Sequence, residues 1–323
     1  MKIENVDELR LLVSCAEGGN LSSAAQMLQV TPAAASAMLR RLEARVGARL
    51  FERTTRSMRA TPAGAVLAGY AARALELLEE GSAQIGEDTQ RLHGTVRVTS
   101  SSDLTRHVLL PWLDAFLQAH PGVEINLSVS DTLQDVVKDH VDVALRYGEL
   151  SDSRLVARKL MDVRRIACAA PGYLSRHGAP QHPQELSGHD CITFRLRGQR
   201  NAVWHFSRPD GSEPVELRVN GRRQCDDGEI ARRWAVAGHG VASKAELDVL
   251  ADLESRALVR LFPDFVGESI PLHAVLPSNR FIPARVRALV EHLAACCASV
   301  QPRLQASGST LRAGRATSVL RSP

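Results

Sequence analysis

The sequence predicts an α/β protein led by a small helical head, and three observations carry that reading. Residues 20–43, NLSSAAQMLQVTPAAASAMLRRLE, hold two short alanine-rich helical patterns broken at Gln29, Val30 and Thr31. A proline-started run follows Thr61 and Pro62 toward Gly94, its apolar residues spaced by four and three. From Gly94 onward the short alternating stretches TVRVTS, VEINLSVS and VDVALRY take turns with helical segments. This order predicts an all-α head with a small β wing over 1–61, a linker helix over 62–93 and an α/β domain with largely parallel sheets over 94–300.

Within the head, Leu21, Ala24, Ala25 and Leu28 give one apolar stripe, with Asn20 or Ser22 as cap. Thr31 is placed to cap the next helix and Pro32 fits the first helical position, which needs no backbone donor. Ala35, Leu39 and Leu42 form the matching stripe, leaving Ser36, Arg40 and Arg41 outward, and Gly47 can end the helix. Two short helices joined by a three-residue turn are the geometry that lays the second helix in a major groove. An ordinary helical hairpin is the competing account. The flanks favour DNA: between Arg40 and Arg59 seven arginines face two acids, as phosphate neutralisation requires. The loop ERTTRSMRAT after Leu50 and Phe51 reads as the wing, which would bring Arg53, Thr54 and Arg56 to the backbone or minor groove.

The segments AAQMLQVTPAAASAMLRRLEARVGARLFERTTR and TPAG resemble, in order and spacing, the LysR-type transcriptional regulators. GTVRV, LLPWLDAFLQAHPGVEINL, DVALRYGELSDSRLVARKL and YLSRHGAPQHPQEL extend the resemblance over residues 4 to about 300. It implies a winged helix-turn-helix joined to a two-lobed effector domain of the type 2 periplasmic-binding-protein-like architecture, and linker helices that pair heads into dimers, commonly within a tetramer. The DNA-facing positions it implies are Ser22, Thr31, Pro32, Ala34, Ser36, Arg40, Arg53, Thr54 and Arg56. The chain departs from the family at Ala33, Ala37 and Met38, where polar side chains often reach DNA, so readout here leans on thymine methyls and DNA shape.

In the linker, Leu67, Ala71, Ala74, Leu78, Gly81 and Ile85 form a seam suited to a second copy of the chain. Two-fold pairing predicts double-stranded DNA with an inverted-repeat operator. In the α/β domain, lobe I is expected over about 94–161 and 266–300 and lobe II over about 162–265, with a hinged cleft between them. Strand ends collect polar groups: Thr99, Ser100, Ser101 and Ser102 after the first strand, Thr132 after the second, Arg146 and Tyr147 after the third. Lobe II adds Phe194, Arg195 and Asp227. Hydroxyls, helix N-termini and an arginine suit a small organic or aromatic carboxylate, although each serine taken alone is equally a helix cap.

The 323 residues suffice for two domains. The first twenty, MKIENVDELRLLVSCAEGGN, are acidic and amphipathic where a signal peptide is basic and then apolar, so a cytoplasmic protein that does not enter a membrane is expected. The net charge of +4 equals that of residues 301–323 alone, with Arg303, Arg312, Arg315 and Arg321 and no acid, in a stretch that reads as a disordered basic tail. Six cysteines, at 15, 168, 191, 225, 296 and 297, show no CxxC pair, and eleven scattered histidines show no ligand spacing. No metal or cofactor is expected. No GxSxG elbow, P-loop or dinucleotide fingerprint supports an enzyme. The alternatives that stay open are an effector-independent architectural DNA-binding protein and a thiol-based redox-sensing regulator.

Overall fold

The computed structural model describes residues 5–18, 20–53, 58–83, 92–130, 141–148, 155–196, 199–277 and 282–316. The chain divides into two compact units, residues 1–91 and 92–323. The first holds α1 (Val6–Gly18), α2 (Leu21–Met27), α3 (Pro32–Val46), the antiparallel ribbon β1 (Phe51–Arg53) and β2 (Met58–Ala60), and α4 (Pro62–Ala83).

Each helix of the head begins where a side chain satisfies a spare amide. Asn20 accepts from the Ser22 N–H at 2.8 Å, and Thr31 Oγ1 accepts from the Ala34 N–H at 3.2 Å with Pro32 next in line. Gly47, at φ +73°, closes α3 in the left-handed region that glycine enters without strain. Ala24, Ala25 and Ala35 are fully buried among Leu12, Leu39, Leu42 and Phe51, their small side chains letting α2 and α3 approach closely. Glu43 then fixes the start of the ribbon, accepting from the Leu50 N–H at 2.8 Å.

The linker seam differs from expectation. Ala71 is buried in the head's own core with Ala68 and Leu75, and Leu67 and Ala74 pack against the same core. The exposed apolar side chains of α4 are Val66, Tyr70, Leu77 and Leu78. The cause is that α2 is only 7 residues long and buries just Ala24 and Ala25, so α4 supplies the wall of the core that α2 leaves open. Ile85 lies outside the described residues, and His93, expected to close the helix, belongs to a strand.

The second unit opens with β3 (His93–Ser100), followed by α5 (Ser102–Leu104), a π-helical turn Thr105–Leu109 and α6 (Leu110–Ala119). Next come β4 (Gly122–Val129), β5 (Val143–Tyr147), β6 (Val156–Met161), β7 (Arg165–Ala169), α7 (Pro171–His177) and β8 (Cys191–Leu196). The chain continues through β9 (Gln199–Asn201), β10 (Val203–Ser207), β11 (Val215–Arg218), β12 (Gln224–Cys225), α8 (Gly228–Val236), β13 (Val241–Ala245) and α9 (Leu250–Glu254). It ends with β14 (Val259–Arg260), β15 (Val266–Gly267), β16 (Leu272–Leu276) and α10 (Ala284–Ala316).

Two main sheets make two lobes: β4-β3-β5-β16-β6 in lobe I and β12-β8-β13-β7-β14 in lobe II, where β9 also pairs with β8 and β11-β10-β15 forms a small third sheet. The sheets are mixed rather than largely parallel. β3, β4 and β5 run parallel, as do β12, β8 and β13, but β16 is antiparallel to β5 and β6, and β7 to β13 and β14. A chain that leaves lobe I after β6 and returns through β16 must run back against itself, and its two crossings pair: Ile270 N–H donates to Val163 O at 2.8 Å and Arg165 N–H to Glu268 O at 2.9 Å. Leu247, between β13 and α9, and Leu250, the first residue of α9, are buried in the core of lobe I.

The expected disordered tail from 301 is corrected over residues 301–316. Helix α10 continues through Pro302 to Ala316, Val300 and Leu304 are buried, and Arg303 pairs with Glu254 at 2.7 Å. The apolar spacing Leu293, Cys297, Val300, Leu304 holds the helix across the proline, which removes one amide donor. Residues 317–323 lie outside the described residues. Among the described residues no helix is long and apolar enough to cross a membrane.

Candidate functional site

In the head, the first turn of α3 presents Thr31, Pro32, Ala33 and Ala34 to solvent, with Ser36 half-buried and Arg40 and Arg41 exposed further along. Thr31 Oγ1 already accepts the Ala34 amide, so the face offered by this turn is mainly methyl groups and a proline ring. Ser22 is exposed on α2, its backbone N–H held by Asn20. The arginine count overstates the free charge, because Arg45 turns inward to pair with buried Glu8. For Arg53 only the strand backbone is described, and Thr54 and Arg56 lie outside the described residues.

In the second unit, strand alternation divides the expected cleft residues between two faces. Thr99 and Arg146 share one: Arg146 Nη2 donates to Thr99 Oγ1 at 3.1 Å. Ser100 and Tyr147 lie on the other, where the Tyr147 hydroxyl donates to Asp248 Oδ1 at 2.6 Å. Among the described residues, Ser100 Oγ and Thr105 Oγ1 are buried without a hydrogen-bond partner. Ser101 stands at the N-cap of the helical stretch that runs from α5 into α6, and its side chain makes no capping bond. The amides of that first turn and the Ser100 hydroxyl therefore sit together at the carboxyl end of β3, an arrangement that favours an anion.

Ser102 joins the lobes. Its Oγ donates to Asp227 Oδ1 at 3.1 Å and accepts from the Glu229 N–H at 3.3 Å, while Asp227 also caps α8 through the Ile230 N–H at 3.0 Å. Phe194 is half-buried and Arg195 exposed on β8, with Cys225 of β12 opposite Phe194. Thr132 lies outside the described residues.

Sequence reasoning missed the charges that fill the space beside these residues. Lys244 Nζ, in β13, bonds Asp103 of lobe I and donates to Gly228 O at 2.9 Å, both side chains being 6% exposed. The signal was a lone lysine inside the apolar strand VASKA. His107 Nε2 lies 2.5 Å from Glu229 Oε2, Arg233 Nε donates to Glu229 Oε1 at 2.7 Å, and Arg232 binds Asp252 through two bonds of 2.6 and 2.5 Å. Burial alone would raise the Glu229 pKa, but hydrogen bonds from Arg233 and His107 and the Arg232 charge bring it below its ordinary value. Burial, reinforced by the Asp103 charge, pushes Asp248 up to about 7.

Asp103, His107 and Glu229 bring three ligand atoms within 4.8 Å of one another, the separation a metal ion would need. Lys244 on Asp103 and two arginines at Glu229 already supply the positive charge, so the donor set is met by the chain's own cations. Burial also pushes the Cys168, Cys191 and Cys297 thiols up to about 12 and raises Cys225 and Cys296, which keeps them protonated and disfavours the redox-sensing alternative. A surface hollow of about 450 Å³, lined by Tyr173, His189, Asp190, Arg222 and neighbours, contains none of the expected cleft residues.

The geometry of a capped two-helix reader with a ribbon, and of a two-lobed domain crossed twice by the chain, has close counterparts. Residues 6–65 match the family described as bacterial regulatory helix-turn-helix protein, lysR family, and residues 89–298 match the LysR substrate binding domain. The chain belongs to the LysR family. The transcriptional activator TtdR of Escherichia coli (strain UTI89 / UPEC) is 31% identical over 90% of this chain and 93% of its own. The transcriptional regulator CrgA of Neisseria meningitidis serogroup C (strain 8013) is 32% identical over 90% of this chain and 96% of its own. Among solved structures, CrgA from Neisseria meningitidis matches with a TM-score of 0.57 at 30% identity, covering 90% of this chain and 99% of that one. The full-length Vibrio cholerae virulence activator AphB matches with a TM-score of 0.56 at 25% identity over the same shares. This LysR-type protein is thus a DNA-binding transcriptional regulator whose second unit is the family's effector domain.

Proposed function

We propose that the effector of this LysR-type regulator is a small organic or aromatic carboxylate, seated at the carboxyl end of β3 between the two lobes. The observation that carries the reading is the buried Ser100 hydroxyl without a partner, next to the uncapped first turn that starts at Ser101. A carboxylate satisfies both at once, accepting from the hydroxyl and from the turn's amides. Asp103 does not repel it, because Lys244 neutralises Asp103. Tyr147 flanks the position on the same face as Ser100, whereas Arg146 serves through Thr99 on the opposite face.

A thermal-shift screen of small organic and aromatic acids on the full chain tests this. Ser100→Ala, which removes only the hydroxyl oxygen from this buried position, should abolish the shift produced by any acid that stabilises the native protein and leave operator affinity unchanged. A shift that survives in Ser100→Ala refutes the placement.

The head reads an inverted-repeat operator in double-stranded DNA from a dimer, and the protein works in the cytoplasm. Thr31, Pro32, Ala34, Ser36 and Arg40 of α3, Ser22 of α2 and the wing residues Arg53, Thr54 and Arg56 are the contacts, with Ala33 added by its exposure. The dimer is supported by the stripe of Val66, Tyr70, Leu77 and Leu78, four large apolar side chains left in water on one linker helix.

A further inference from the structure

The hollow of about 450 Å³ on lobe II is lined by none of the residues expected in the effector cleft, and its chemistry is of a different kind. Tyr173 and His177 come from α7, His189 and Asp190 from the entry to β8, and Arg222 from the link between β11 and β12. One wall is aromatic. Tyr173 is buried, the His177 ring stacks on it with centroids 4.5 Å apart and planes at 27°, and the His189 ring tilts against it at 5.8 Å. Burial, then the neighbouring His177, holds the His189 pKa below its ordinary value, so this ring is neutral at pH 7 and adds no charge to the wall.

The opposite wall is charged, and its backbone is fixed. Asp190 N–H donates to the Tyr173 hydroxyl at 3.0 Å, and Asp190 O accepts from the Val241 N–H at 2.9 Å. The Tyr173 hydroxyl also bonds His189 Nδ1 at 3.2 Å, which ties the two walls together. Cys191 N–H donates to Asn220 O at 2.9 Å, and a side chain at position 221 would collide with Cys191 O. Gly221 therefore lets the chain pass close enough for Arg222 Nη2 to donate to Asp190 Oδ2 at 3.1 Å. The side chains of this pair are 82% and 31% exposed, so water screens their attraction and the bond adds little to stability.

Such a pair exchanges partners readily, and its two signs select the ligand. A simple carboxylate on Arg222 would lie beside the Asp190 carboxylate, and a simple amine on Asp190 would lie beside the Arg222 guanidinium; like charge opposes both. A ligand that carries an ammonium and a carboxylate replaces one ion pair by two. We propose that this hollow binds a zwitterionic α-amino acid with a planar side chain, its carboxylate on Arg222, its ammonium on Asp190 and its ring on His177. The two ligand charges share one α-carbon, which suits partners whose own charged atoms are 3.1 Å apart. His177 is exposed, so a ligand ring extends the stack that Tyr173 begins. The site stands whether or not a carboxylate occupies the end of β3.

Saturation-transfer NMR on the full chain near neutral pH, with L-phenylalanine as the probe, tests the assignment. L-Phenylalanine amide lacks the carboxylate and N-acetyl-L-phenylalanine lacks the ammonium; each should bind at least about tenfold more weakly than the amino acid. Glycine, which has no ring, should also bind more weakly. Arg222→Gln should reduce the affinity for L-phenylalanine to that for its amide, and Asp190→Asn to that for the N-acetyl compound. Ser100→Ala should leave L-phenylalanine binding unchanged, because that hydroxyl belongs to the other site. No binding of L-phenylalanine at about 10 mM overturns the proposal and needs no variant to fold. A blocked analogue or glycine bound as tightly as L-phenylalanine, an unchanged affinity in Arg222→Gln or Asp190→Asn, or binding lost in Ser100→Ala overturns it as well.

Discussion

Replacing Lys244 by methionine isolates the energetic cost of the buried charge pair between the lobes. Lys244 and Asp103 are each 6% exposed, and the ammonium also donates to Gly228 O at 2.9 Å. Methionine keeps the length of the side chain and removes the charge, leaving Asp103 ionised in a site with little access to water. Removing one partner of such a pair costs about 3–5 kcal/mol. For a unit spanning 92–323, each kcal/mol lowers the melting temperature by about 2–4 °C, so the drop should be about 6–20 °C. All three tryptophans, Trp112, Trp204 and Trp234, lie in that unit, so their fluorescence follows its unfolding in the full chain without interference from the head. The loss should shrink in acid, where the stranded carboxyl can take a proton. The double variant Asp103→Leu with Lys244→Met should recover most of the loss, because a neutral apolar pair leaves no buried charge. A single variant that costs under about 1 kcal/mol, or a double variant no better than the single, would falsify the view that this pair is desolvated and mutually dependent.

Two further outcomes concern the head and the linker. Uracil in place of each thymine of an operator half-site removes only the C5 methyl, and at the positions under Pro32, Ala33 and Ala34 it should weaken binding several-fold, by about 1 kcal/mol per contacted methyl, in fluorescence anisotropy; a set of uracil-substituted operators bound as tightly as the original would show that α3 does not read methyls. Tyr70→Asp together with Leu77→Asp puts two charges into the exposed apolar stripe of α4 and should convert the proposed dimer to a monomer in sedimentation while the head stays folded; an unchanged sedimentation coefficient would mean that the interface lies elsewhere.

What the sequence made legible follows the range of the interactions involved. The cap at Thr31, the proline at its first helical position and the left-handed Gly47 are set by neighbours within a few residues, and the helix α3 they bound is where the pattern placed it. Strands β3, β4 and β5 declared themselves by alternation for the same reason. The charge cluster did not, because Asp103 and Lys244 are 141 residues apart and His107 and Glu229 are 122 apart, and spacing along the chain says nothing about such pairs. The seam on α4 was visible as a periodic stripe, but periodicity reports that a face is apolar without naming what covers it. Ala71 is buried in the head, whereas Tyr70 is half-exposed. A count of arginines likewise cannot separate Arg40, which faces water, from Arg45, which is spent on Glu8. The composition of residues 301–323 suggested disorder, while Leu304, one apolar residue in register with the helix before it, extends the order past Pro302.

Leu247 and Leu250 belong by chain order to lobe II, yet they are buried in the core of lobe I. Two leucines planted across a boundary turn what would otherwise be a clamshell into a sliding joint, since a wide gape would drag both out of a packed interior at about 1.5–3 kcal/mol each. Signal transmission through this domain is then a matter of shear and side-chain repacking on the ångström scale. Measurements of overall dimensions would register almost nothing when the effector binds, and probes of local packing along 245–250 would register most of it.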